Sequence, residues 1–424
     1  MTSRSNASAG NSAGPLAKLG LISTTASLVL LTGLAGITVA SAAPSDKQQV
    51  QQVIENYLQK YRKDEGISAI SVYVTRSKDD KGFAAVTGTT MRGGKGVPIT
   101  PETRFQIGSN SKAFTSVLLQ LWETRNQITL DQRLGLWLPQ YSAWKDNTIR
   151  EMLHMVSAIP TYSEAPKMQK SMATDMFRHY TPSELIAYAY PSGGNHLPVP
   201  TGYFYSNTNY ILGGMIAEKI GNQSRPNRGF SYEQQLRDWI FKPLGMTETS
   251  YSSWAVPNSV IKKMSSGYFE NPACGEYQPN CKVSGLAPLL GKNMLHADLT
   301  WAGAAGGIIS TPRDLQKWVR GLFQGGLLPA KQLSEMKELV SMDTGKPLPF
   351  TTAKEPRGFG LGVGQMFIPG VGRLWFYEGV TLGYRTVFAY YPQNDVVITL
   401  SLNSQPENDH IGELLTNLQN VLLK

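Results

Sequence analysis

Strand-rich segments at both ends of this chain bracket a middle third of helical character, and that pattern limits the fold more than any other feature. Near the start, residues 67–76 are dense in β-branched side chains, as more loosely are 83–89, with the polar turn 77–82 between them. This spacing predicts a β-hairpin. Near the end, residues 358–367, 373–377, 384–391 and 396–402 read as further strands. Residues 131–299 instead carry short apolar repeats at helical spacing, broken by Pro/Gly loops. Strands this far apart must share one sheet. The expected fold class is α+β: a largely antiparallel sheet flanked by helices, plus a helical lobe. The α/β lobe would comprise 43–130 and 300–424, and the helical lobe 131–299. Helices are expected at 46–64 and 410–423 as well, and Thr311, Pro312 and Asp314 mark the start of another that runs to about 323.

The first 42 residues contain Arg4 and Lys18 and no acidic residue, followed by a softly apolar run that ends in Ala40-Ser41-Ala42. This reads as a secretory signal peptide over 1–42, cleaved after Ala42, and predicts a periplasmic or secreted protein with no stable membrane insertion afterwards. An uncleaved anchor helix is the alternative, because the run is long enough to span a bilayer. Without Arg4 and Lys18 the chain keeps 38 basic against 31 acidic residues, a net charge of +7. These charges are scattered, which favours solubility and argues against nucleic acid as a partner. The two cysteines, Cys274 and Cys281, lie in a Pro/Asn/Gly-rich loop. In an exported chain they are expected to form one local disulfide, the alternative being two free thiols. No metal or cofactor motif is present.

Residues 105–115 read F-Q-I-G-S-N-S-K-A-F-T and run into an apolar helical repeat. On a helix, Ser109 and Lys112 share a face, so a hydroxyl and an amine can meet. The first turn adds free N–H groups and the positive end of the helix dipole. Ser-x-x-Lys occurs four times, at Ser109, Ser142, Ser259 and Ser334, so the pattern by itself is weak. The preceding glycine and the strong helix that follows single out Ser109. Tyr205-Ser206-Asn207 would project a phenol and an amide to one side if extended. A phenol is a poor base at its ordinary pKa, and a nearby Lys112 ammonium would lower it. In the segment 375–384, Trp375, Tyr377 and Gly379 share one face of a strand, and the glycine marks a close backbone approach. The Val380 and Ser109 N–H groups would then form an oxyanion hole.

With these three pieces in place, the chain resembles the serine β-lactamase and penicillin-binding-protein superfamily, nearest its class C and D-alanyl-D-alanine carboxypeptidase branch, which also contains esterases. Thr148-Ile149-Arg150-Glu151-Met152-Leu153 is similar to the family's T-I-R-x-L-L. Residues 205–213 resemble its Y-S-N-x-x-Y-x-L-G, residues 243–246 its P-L-G-M, and residues 305–311 its A-G-G-L-x-S-T. The likeness implies a β-lactamase/transpeptidase-like fold, with Ser109 as acylated nucleophile, Lys112 as its activating partner and Tyr205 as general base and proton shuttle. Asn207 would bind substrate and Lys112, and Tyr377, Gly379 and Val380 would line the substrate site. The implied reaction is acyl transfer from a small-molecule or peptide amide or ester, then hydrolysis.

Two segments depart from the family pattern. Tyr377-Glu378-Gly379 stands where relatives have Lys or His, a variable residue and Gly. That cation helps hold a substrate carboxylate, and its loss removes a bond worth roughly 1.5–3 kcal/mol, about ten- to a hundredfold. Met155-Val156-Ser157-Ala158-Ile159 replaces the family's H-T-S-G-L, a change that reads as structural drift. Two rival functions stay open: an esterase of the same fold, and a non-catalytic penicillin-binding-type sensor. None of the five histidines sits in a nucleophile-elbow context, so a Ser-His-Asp hydrolase is disfavoured.

Overall fold

The computed structural model describes residues 44–192, 197–274 and 283–423. The presumed signal segment lies outside them. So does Cys281, and with it the expected Cys274–Cys281 disulfide.

Nine strands form one antiparallel sheet: β1 (Ala69–Thr75), β2 (Phe83–Gly88), β3 (Leu339–Ser341), β4 (Pro347–Leu348), β5 (Arg357–Phe359), β6 (Gly364–Ile368), β7 (Gly372–Val380), β8 (Arg385–Tyr391) and β9 (Val396–Leu402). Their order is β2-β1-β9-β8-β7-β6-β5-β3-β4. The two chain ends meet where β1 pairs with β9, in the register Ile70↔Leu402. The hairpin and the four distal strands expected from the sequence are all in this sheet. The expected strand 358–367 is two strands, β5 and β6, which pair with each other. The small edge strands β3 and β4 were not foreseen, since two or three residues give no readable alternation.

Five longer helices cover the sheet: α1 (Asp46–Tyr61), α2 (Ser111–Glu123), α3 (Asn207–Ser224), α4 (Pro312–Phe323) and α5 (Ile411–Leu422). Helix α1 starts at a capping box in which Ser45 accepts from the Gln48 amide and Gln48 reaches back to the Ser45 amide. Helix α4 starts with Thr311 accepting from the Asp314 N–H and with Pro312 at its first position. Val50, Ile54 and Tyr57 of α1 join Leu414 and Leu418 of α5 over one face of the sheet. Over the other face, α2, α3, α4 and the shorter helices share a larger core in which Phe114 stacks on Trp318 at 3.6 Å. Alternation along β7 sends Leu374 and Phe376 into the first core and Trp375 and Tyr377 into the second. Tyr377 therefore faces α2.

Candidate active site

The chain enters α2 through a 3-10 turn, Gly108–Asn110, so Ser109 lies one turn before the α-helix proper instead of within it. Two close approaches set this turn. Gly108 has φ +52°, and a Cβ there would sit 2.7 Å from the Val380 nitrogen. A Cβ on Gly379 would sit 1.9 Å from the Ile107 carbonyl oxygen and 2.8 Å from the Ser109 nitrogen. Only hydrogen fits at either position. Strand β7 continues through Gly379 to Val380 and lays its backbone along the serine turn. Asn110 does not cap the helix. Its side-chain amide instead donates to the Ile107 carbonyl at 2.8 Å and to the Thr386 carbonyl at 2.9 Å, tying the turn to β8.

Lys112 is fully buried. Its Nζ lies 2.9 Å from Ser109 Oγ, 2.7 Å from Asn207 Oδ1 and 2.9 Å from the Ala305 carbonyl oxygen. The Tyr205 hydroxyl donates to Ser109 Oγ at 2.5 Å. The Tyr377 hydroxyl donates to that of Tyr205 at 3.4 Å. The segments around Ser109, Tyr205, Ala305 and Tyr377 thus converge on one site, with Lys112 and Tyr205 on Ser109 Oγ itself.

Burial holds the Lys112 ammonium well below the usual lysine range. The Tyr205 phenol is pushed up to about 12 by burial, which outweighs its hydrogen bonds with Ser109 and Tyr377. The depressed phenol expected beside a lysine cation is therefore not what this environment favours. Desolvation disfavours both charges, the ammonium of Lys112 and the phenolate of Tyr205. Lys112 Nζ donates to all three of its partners, the Ser109, Asn207 and Ala305 oxygens. Ser109 Oγ in turn accepts from Tyr205.

Sequence reasoning missed several supports. Asn207 Nδ2 donates to Ser163 Oγ at 2.8 Å, and its backbone N–H donates to Thr161 Oγ1 at 3.0 Å. No spacing signal pointed to that loop. The segment read as drift is also part of the scaffold: the Met155 carbonyl accepts from the Phe204 N–H at 2.8 Å, and Ser157 Oγ donates to Asn209 Oδ1 at 2.9 Å. Ala158, where relatives carry glycine, has φ +55°. A left-handed alanine costs roughly 1–2 kcal/mol, and the unfolded-state entropy of glycine offsets about 0.4–1 of this. Ala158→Gly is therefore expected to raise stability by up to about 1.6 kcal/mol, read as a higher denaturation midpoint at unchanged slope. An unchanged or lower midpoint would refute the strain. Among the described residues no group of three or more His, Cys, Asp or Glu is placed to hold a metal ion.

Residues 51–421 match the family model described as Beta-lactamase. Penicillin-binding protein 4* of Bacillus subtilis is 22% identical over 330 residues, which are 77% of this chain and 66% of that protein, just under two thirds of its length. Among solved structures, the D-stereospecific amidohydrolase from Streptomyces sp. superposes with TM-score 0.67 at 24% identity, covering 89% of this chain and 98% of that one. The D-amino acid amidase from Ochrobactrum anthropi SV3, complexed with L-phenylalanine amide, superposes with TM-score 0.68 at 21% identity and the same coverages.

Proposed function

The chain belongs to the beta-lactamase family of serine hydrolases, and from that premise we propose that it is an exported enzyme that cleaves an amide or ester through a Ser109 acyl-enzyme. The observation that carries the reading is Ser109 Oγ held between the Lys112 amine at 2.9 Å and the Tyr205 hydroxyl at 2.5 Å. In acylation the Ser109 proton passes to the lone pair of Lys112 as Oγ forms a bond to the substrate carbonyl carbon. The oxyanion faces the backbone N–H groups of Ser109 and Val380, and Asn207 orients Lys112 and the substrate. When the tetrahedral intermediate collapses, the leaving nitrogen or oxygen takes the Tyr205 proton, which the Lys112 ammonium restores. Water then attacks the acyl-enzyme with the same pair acting in reverse. Lys112 is thus the base for acylation, and Tyr205 the proton donor to the leaving group.

Tyr377 supplies a neutral phenol where relatives have a cation, which disfavours substrates anchored by a carboxylate. Parallel kinetics on nitrocefin, a p-nitrophenyl ester and a D-Ala-D-Ala peptide test this. The ester is expected to turn over far faster than the other two. Tyr377→Lys is expected to raise kcat/KM for nitrocefin relative to the ester by about tenfold, the worth of one charge-assisted bond. Equal ratios in both proteins would overturn the role given to Tyr377. A folded protein that turns over none of the three would favour the non-catalytic sensor.

A further inference from the structure

We propose that a cavity on the far side of α3 from Ser109 is a second binding site, which takes a small organic ammonium ion. The cavity holds about 730 Å³ and is lined by α3, by the helix Tyr232–Leu236 and by the strand Ser250–Tyr251, among other segments. None of Ser109, Lys112, Tyr205 or Asn207 lines it.

Its lining carries more acidic than basic side chains. Glu218 and Glu233 both line the cavity. Burial pushes the Glu218 carboxyl up, with the Tyr232 backbone N–H as the offset. Glu233 accepts from the Ser253 amide at 3.1 Å and the Ser253 hydroxyl at 3.0 Å, which fixes its carboxylate. Lys219 is the one cationic residue among the lining. Its Nζ is engaged elsewhere, donating to the Trp137 carbonyl at 2.6 Å.

The walls suit a cation with an apolar body. Tyr232 and Tyr251 meet nearly at right angles, with ring centroids 5.1 Å apart, and form two sides of an aromatic corner. Tyr232 is held in place because its hydroxyl lies 2.7 Å from Thr115 Oγ1, which donates to the Ala304 carbonyl at 2.7 Å. The Tyr251 phenol is raised by burial, with neighbouring tyrosines and Glu218 and Glu233 adding to the rise and no hydrogen bond to offset it. Leu185 and Met215 supply apolar floor. Two carboxylates beside two tyrosine rings, with the single lysine's ammonium held by a carbonyl, favour an ammonium over a neutral or anionic group.

Calorimetric titration with phenethylammonium, with 3-phenylpropionate as the anionic control, tests the site without any turnover. The wild-type protein is expected to bind the cation and ignore the anion. Glu218→Gln, which keeps the shape and removes the charge, is expected to weaken binding at least tenfold at an unchanged melting temperature, whereas Ser109→Ala leaves the titration as it was. Because this binding does not need Ser109, it stands or falls separately from the hydrolase reading. No binding to wild type, equal binding of the anion, undiminished binding to Glu218→Gln, or loss of binding in Ser109→Ala would each overturn the proposal.

Discussion

Ser109→Ala is expected to abolish both covalent labelling by a fluorophosphonate and measurable turnover, a loss on the order of 10⁴- to 10⁶-fold. The side-chain partners of Ser109 Oγ are Lys112 and Tyr205. Removing the oxygen therefore takes away the attacking atom and leaves the two proton carriers facing a small gap. Stability should move by only about 1 kcal/mol, the net worth of an ordinary hydrogen bond. Intact-mass measurement after exposure to the probe gives the answer directly. A labelled Ser109→Ala protein would place the nucleophile elsewhere and sink the acyl-enzyme scheme.

Lys112→Met is expected to cost a comparable factor, about 10⁴ in kcat/KM, for a different reason. The thioether fills the volume of the buried stem but offers no lone pair basic enough to take the serine proton. Two opposing effects act on stability. Asn207 Oδ1 and the Ala305 carbonyl lose a donor, at about 1–3 kcal/mol each. Against this, an amine that burial disfavours in its charged form is gone. The net change should be a few kcal/mol at most, so a folded, inactive protein is the expected result. The pH dependence follows from the same burial. Lys112 must be neutral to act as base, so kcat/KM in the wild type falls as pH drops through its depressed pKa. For stability the sign is as follows: at pH values between the folded and unfolded pKa the unfolded chain holds the extra proton, so folding stability rises with pH across that window. Below the window the wild type carries the full burial penalty, and there Lys112→Met gains most. A wild-type rate that rises on acidification would contradict a neutral lysine base.

Much of the fold was legible because the informative segments are long and regular. Strands of seven residues such as β1, β8 and β9 carry a β-branched signal over their whole length, and α4 announces itself with Thr311. The helical middle was readable from α3 and from its helical spacing, although its other helices are short. What escaped was short or set by neighbours: β3 and β4, the break between β5 and β6, and the five-residue π-helix Arg237–Phe241. At the site, Ser109, Lys112, Tyr205 and Asn207 could be picked out because each sits in a motif with a definite spacing. Ser163, Thr161 and the Ala305 carbonyl could not, since a loop hydroxyl or a peptide oxygen gains meaning only from what folds beside it. The direction of the Tyr205 shift went unread for a related reason. Proximity alone argued for a lysine cation that lowers a phenol, but enclosure removes water from both, and no local pattern measures enclosure.

The meeting of the first strand with the last has a consequence for how the molecule comes into being. The Ser68 amide donates to Asn403 Oδ1 across 335 residues of sequence, and β1 finds its ladder partner in β9. During synthesis the opening hairpin must wait, with one edge bare, until nearly the whole polypeptide has left the ribosome. Contacts of such long range form slowly. A truncation near residue 400 would leave β1 without its closing seam.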